Sequence, residues 1–220
     1  MSEPGRSGEA LARLDEITRR LRLECPWDRE QDERTIVPHT IEEAYELADA
    51  ANRGDDRKLL DELGDVLFQV VFLSLLLEER GEGDFAAVAE HCRQKLIRRH
   101  PHVFGDVDAS SAAEVLRNWD EIKRGEEGRE PGIFGDVPEN LPGPLYARKL
   151  LRRATSAGRP LPEMSLADHV GADDFESLGD LMLAVVARAR ELKVDPELAL
   201  RSAADRLREQ IEQEAGRASE

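Results

Sequence analysis

The chain has 220 residues, 40% of them hydrophobic and 35% charged, and carries a net charge of −16. That composition supports one large helical domain or two small ones, and the 5% aromatic content beside abundant Ala, Leu, Glu and Arg favours helices over sheets. Residues 1–124 hold 18 Lys and Arg against 28 Asp and Glu, and residues 125–220 hold 13 against 19, which argues against a general binder of nucleic-acid backbone in either half.

The polar start, Met1 to Glu9, has no apolar signal core, so a cytoplasmic protein is expected. Leu11, Leu14, Ile17 and Leu21 recur at three- and four-residue steps and predict an amphipathic helix over about residues 8–23. Cys25-Pro26-Trp27-Asp28 interrupts it, because proline cannot continue a helix interior. Thr40 with Glu43 has capping-box spacing and predicts the start of a second helix, ending near Asn52-Arg53-Gly54. Asp55-Asp56 opens a third, which Gly81 stops. A fourth runs from about Phe85 to Arg99 and ends at His100-Pro101-His102. Ser111 or Ser110 caps a fifth, through Trp119 to Lys123.

Residues 125–144 are rich in Gly and Pro and read as a linker. A basic helix follows at about 145–157, then helices at about 175–192 and 196–215. Leu63-Gly64-Asp65-Val66-Leu67 matches Leu178-Gly179-Asp180-Leu181-Met182, which suggests a shortened internal repeat. The apolar run Val66 to Leu77 is 12 residues long, too short to span a bilayer. It is apolar on too many faces for an isolated hairpin, so a bundle completed by a homodimer is expected. Cys25 and Cys92 show no metal-ligand or disulfide spacing and read as small buried residues in a reducing compartment.

The informative chemistry is acidic. Glu43 and Glu46 are three apart on one helix, and Glu62 and Asp65 repeat that spacing on the next. A short connection at Gly54 predicts an antiparallel hairpin in which the two faces meet. Carboxylates brought together repel unless a cation neutralises them, and hard oxygen donors suit magnesium. Asp65, among Leu63, Val66, Leu67 and Phe68, is expected to lie on a partly buried stretch. Spacing alone leaves solvated helix faces as an equal reading.

Glu42-Glu43-Ala44-Tyr45-Glu46 followed by Glu62-Leu63-Gly64-Asp65 resembles the EExxE…ExxD pattern of MazG-type pyrophosphohydrolases. Cys25 to Gln31 resembles the family's CPWDxxQ segment, Lys95 to Phe104 its KLxRRHPHVF segment, and Trp119 to Lys123 its W-x-x-x-K helix. The resemblance implies an all-α, dimeric, magnesium-dependent enzyme, with Mn2+ a possible substitute, that cleaves nucleoside triphosphates to the monophosphate and pyrophosphate. By resemblance Glu43, Glu46, Glu62 and Asp65 are metal ligands, with Glu42 a weaker candidate, and one glutamate, Glu46 among them, orients or deprotonates the attacking water. The same resemblance gives Lys95 a catalytic as well as a substrate-binding role, and makes Lys58, Arg99, Trp119 and Lys123 contacts to phosphate or nucleotide. Lys58 also has the spacing to pair with Glu62, and core packing is an equal reading of Trp119. Trp27 reads as core or interface, and His100 and His102 as capping and packing residues.

The implied organisation is a catalytic region over 8–124, a linker over 125–144 and a degenerate, non-catalytic helical region over 145–216. In that region Ser177 stands where Glu62 stands and only Asp180 remains of the acids. The basic stretch Arg148 to Arg153 reads as a solvated amphipathic face, and no membrane or nucleic-acid partner is expected. The acidic Asp32-Glu33 after Gln31 departs from the family pattern. Broad triphosphate specificity with a house-cleaning role is the leading expectation. The alternatives are a narrower all-α dUTP, dCTP or phosphoribosyl-ATP pyrophosphatase, or a non-catalytic nucleotide-binding helical dimer.

Overall fold

The computed structural model describes residues 4–126, 132–135, 137–138, 140–162, 164, 166–169 and 172–217. Among these, all regular structure is helical. Contacts divide the chain into two compact units, Met1–Ile97 and Arg98–Glu220.

The first unit is built on α1 (Pro4–Glu24), α2 (Pro26–Glu30), α3 (Glu33–Arg53), α4 (Asp56–Glu79) and α5 (Phe85–Arg99), whose last two residues fall in the second unit. The break at Cys25-Pro26 forms as expected, with Pro26 in the first turn of α2. The start of α3 differs from the expectation. Asp32, not Thr40, is the cap: its carboxylate accepts from the Arg34 and Thr35 amides, and the Thr35 hydroxyl accepts from the Asp32 amide. This capping box carries the helix through Pro38, which forfeits one backbone bond near the helix start. Thr40 is therefore helix interior, its hydroxyl 3.4 Å from the Ile36 carbonyl and 3.4 Å from Gln69 Oε1.

Gly54 ends α3 in the left-handed region at φ 67°, where a side chain is strained, and Asp55 caps α4 through the Arg57 and Lys58 amides. That tight connection folds α3 and α4 into an antiparallel pair. Ile36, Phe72 and Leu76 form its buried core, with Phe68 and Leu73 packed against it. Each such side chain contributes about 1.5–3 kcal/mol on burial. On α4 the residues Glu62, Gln69 and Leu76, seven apart, are all buried, which defines the stripe turned inward. Helix α1 packs on α4. Arg19 forks onto Glu78 at 3.1 and 2.6 Å, and Arg22 onto Glu79 at 2.8 and 2.8 Å. Arg22 also donates to the Asp28 and Gln31 carbonyls, which seats α2 beneath it. Most of Val66–Leu77 is thereby covered within one chain, while Leu60, Leu63 and Val70 stay 75%, 50% and 39% exposed.

The second unit holds α6 (Pro101–Phe104), α7 (Ala112–Arg124), α8 (Gly143–Ser156), α9 (Phe175–Glu191) and α10 (Pro196–Arg217). Ser111 caps α7 as expected, and Glu114 answers by accepting from the Ser110 amide and hydroxyl. Leu151 and Ala154 of α8 and Ala184 and Val186 of α9 are buried. An apolar cavity of about 580 Å³ lies among α8, α9 and α10, against Tyr146, Leu150, Met182 and Leu200. The segment Leu178–Met182 sits in the first turns of α9, with Ser177 in the capping box of Asp174, whereas Leu63–Leu67 lies mid-helix in α4.

Candidate active site

The antiparallel register of α3 and α4 decides which acids meet. Ile36 packs with Phe72, Thr40 bonds Gln69, and one turn on Glu43 meets Asp65. Continued by another turn, the same register sets Glu46 across from Glu62. Carboxylate oxygens of Glu43, Glu62 and Asp65 lie within 4.8 Å of one another. Glu62 is buried, Glu43 half-buried, and Glu46 and Asp65 exposed. The burial expected around Asp65 thus falls on Glu62, because Glu62 lies on the inward stripe of α4 and Asp65 is rotated off it.

The electrostatics follow from this packing. Desolvation raises the Glu62 pKa above its ordinary value, Glu46 adds to the rise, Lys58 opposes it, and Asp65 and Asp61 add further. Glu43 is raised as well, by desolvation first and then by Asp65, Glu46, Glu62 and Glu42. Lys58 forms the pairing its spacing allows, with Nζ 3.7 Å from Glu62 Oε1. Among the described residues this one partly exposed ammonium is paired with the group, and a single positive charge does not balance three carboxylates. The residual negative charge on hard oxygen donors fits a divalent cation. Glu42 points elsewhere: its carboxylate is 3.7 Å from His39 Nδ1. Lys95 is half-buried on α5.

In the second unit Arg99 and Trp119 come together. The Arg99 guanidinium lies over the Trp119 ring, 5.2 Å from its centroid, and the His100 ring meets the same indole edge-on at 4.8 Å. Glu126 accepts from Arg99 at 2.9 and 2.5 Å and from Arg98 at 3.2 and 2.9 Å. The Arg99 bond is the main reason the Glu126 carboxyl titrates at about 2. Lys123 is half-buried one turn beyond Trp119 on α7.

Residues 31–104 match the MazG nucleotide pyrophosphohydrolase domain. A nucleoside triphosphate pyrophosphohydrolase of Escherichia coli is 37% identical over 216 residues, covering 88% of this chain and 82% of that protein. The chain belongs to the MazG family. A second MazG relative, the nucleoside triphosphate pyrophosphohydrolase/pyrophosphatase MazG of Thermotoga maritima, is 37% identical over 193 residues, covering 81% of this chain and 74% of that protein. A solved MazG-related protein from the same organism aligns with 51% of this chain and 97% of its own, at TM-score 0.45 and 26% identity.

Within the family's CPWDxxQ-like segment, Trp27 is 50% exposed and its ring meets the edge of His39, so of the two expected readings, core and interface, the core one does not hold within the chain. Asp28 beside it is the buried one. Cys92 is exposed rather than buried, because it lies on the outer face of α5. His100 occupies the N-cap position of α6 without a side-chain cap hydrogen bond, and its ring packs on Trp119. Three polar residues to which the sequence pattern assigns no role also stand out: the buried Gln69 and Asp120, and Glu126. Glu126 lies in a run of charges, Glu121 to Glu127, that gives no local sign of a distant partner.

Proposed function

We propose that this MazG-family chain hydrolyses nucleoside triphosphates, breaking the α–β anhydride to release monophosphate and pyrophosphate. The observation that carries the reading is the convergence of Glu43, Glu62 and Asp65 across α3 and α4, with Lys58 the one cation paired to them among the described residues. These three and Glu46 are the residues that would hold magnesium, or manganese in its place. When bound, such an ion neutralises phosphate charge and polarises the anhydride for attack.

The chain's own residues supply the rest. To Glu46, exposed and outside the tight group of three, we assign the orienting of the attacking water and the acceptance of its proton. Lys58 and Lys95 in the first unit offer cations to the phosphates, whose transition state concentrates negative charge. Arg99, Trp119 and Lys123 in the second unit are the proposed nucleotide contacts. Trp119 already carries Arg99 on its ring, so its packing and its binding role are compatible. The division into a catalytic region 8–124 and a non-catalytic region 145–216 rests on the sequence, where no acidic helix precedes Asp180 and Ser177 stands in the place of Glu62. Among the described residues no helix is long and apolar enough to cross a membrane. A cytoplasmic, homodimeric enzyme of broad specificity, acting in nucleotide house-cleaning, is the reading we favour. The exposed Leu60, Leu63 and Val70 of α4 support the dimer.

Turnover of a panel of ribo- and deoxyribonucleoside triphosphates, with and without magnesium, tests this directly. Monophosphate and pyrophosphate appearing together only with the metal supports the reaction, and the ranking of bases decides breadth. Release of orthophosphate instead, or no turnover from folded protein, sinks it.

A further inference from the structure

Asp120 is a buried carboxylate, 5% exposed, that the proposed chemistry does not use. It follows Trp119 directly on α7, yet both of its side-chain oxygens are engaged from α8. Ser156 Oγ donates to Oδ2 at 2.7 Å, and Arg152 Nη2 lies 3.5 Å from Oδ1. Arg152 and Ser156 are four apart, so they share one face of α8. A buried carboxylate is costly unless paired and hydrogen-bonded. The two α8 residues meet that need for Asp120, and in doing so they join α7 to α8 by a directional contact.

Direction is what distinguishes this contact from apolar packing. Leucines on adjacent helices tolerate small rotations and slides, whereas a hydroxyl-to-carboxylate bond weakens steeply when its angle changes. On α7 the Asp120 tie faces α8, and the neighbouring indole of Trp119 faces Arg99 and His100. Together these contacts set the rotation of α7 about its own axis.

We infer that Asp120, Arg152 and Ser156 are positioning residues through which α8 orients the helix carrying Trp119 and Lys123 for nucleotide binding. This rests on the nucleotide-binding role of those two residues. It gives the region beyond residue 143 a part in substrate recognition without any metal ligand or substrate contact of its own. The basic stretch on α8, Arg148 to Arg153, then divides by partner: Arg148 pairs with Asp195 within the C-terminal region, and Arg152 reaches back to α7.

The test uses the full chain and the variants Asp120→Asn, Arg152→Ala, Arg152→Lys and Ser156→Ala. Misplacing a binding group raises KM while the metal-centred step is kept, so Asp120→Asn and Arg152→Ala should raise the triphosphate KM about five- to tenfold with kcat within about twofold. Arg152→Lys, which keeps the charge, should return KM to within about twofold of the parent. The magnesium concentration giving half-maximal activity should not move in any of them. In a Trp27→Phe background, the emission of Trp119 should shift in Asp120→Asn, reporting the changed setting of α7. Should Asp120→Asn fail to fold, Arg152→Ala and Ser156→Ala carry the same comparison. Folded variants that all keep the parent's KM would overturn the inference. So would losses confined to kcat, or a Trp119 emission unchanged in Asp120→Asn. A parent chain that turns over no triphosphate would instead remove the reading on which the inference rests.

Discussion

Replacing Glu62 by Gln separates a metal site from a merely acidic helix face, because only a metal site reverses the order of stability when magnesium is added. Glu62 is 4% exposed and its pKa is raised, chiefly by desolvation and then by Glu46, so folding disfavours its ionised form near neutral pH. Gln has nearly the same shape and mimics the protonated acid. Metal-free Glu62→Gln should therefore melt at or above the parent. With magnesium the order should reverse. A ligand bound only by the folded state stabilises it by about 2.7 kcal/mol at a hundred times its Kd, and a chain of this length gains about 2–4 °C of Tm per kcal/mol. Saturating magnesium should thus raise the parent's Tm by about 5–10 °C and leave the variant nearly unmoved. Turnover should fall at least about 10²-fold, the scale for losing one group that stabilises transition-state charge. The assay is a melting curve with and without metal beside steady-state pyrophosphate release. A variant that keeps most of the parent's turnover, or gains the same Tm from magnesium, would refute the assignment of the ligands.

Asp180→Asn should leave kcat/KM within about twofold of the parent, since the acidic helix that supplies Glu43 and Glu46 beside Asp65 has no counterpart in the sequence before Asp180. Protons compete with metal for the same oxygens, and the Glu43 and Glu62 pKa values are raised. The magnesium requirement should therefore grow as pH falls toward those values, beginning above the ordinary carboxylate range, as read from activation curves across pH. Glu126 has the opposite sign. Its folded pKa of about 2 lies below the ordinary 4.5, so its contribution to stability is present above about pH 4.5 and is lost as pH falls toward 2. Urea midpoints measured through that window should drop in the parent and drop less in Glu126→Gln. Leu60→Lys with Leu63→Lys should shift the chain to a monomer in sedimentation with little loss of fold, because both side chains are at least half exposed within one chain. A double variant that sediments like the parent would count against α4 as the dimer face.

Helix by helix, the legible parts were those with local signals. The span Phe85–Arg99 and the stops at Gly54 and Gly81 are read from periodicity and from glycines that sit at positive φ. The start of α3 expected at Thr40 comes from its capping-box spacing with Glu43, while the box that forms is Asp32 with Thr35. That box begins six residues before Pro38 and nucleates the helix ahead of it. The acidic site was half legible. The spacing of Glu43 with Glu46 and of Glu62 with Asp65 marks two faces, and the short turn at Gly54 implies that they meet. The spacing does not say that Glu43, Glu62 and Asp65 close to 4.8 Å while Glu42 turns to His39.

The sequence by itself determined the helices, the pairing of α3 with α4 and the acidic chemistry between them, because these depend on 3.6-residue periodicity, caps and a tight turn, all local. Only the tertiary structure decided that Glu62 rather than Asp65 is buried. It alone showed that Glu126 clasps an arginine 27 residues away and that Asp120 is held by Ser156 36 residues away. Periodicity names a face of a helix. Which part of that face loses its water, and which distant charge then has to meet it, is settled by the neighbour that packs there.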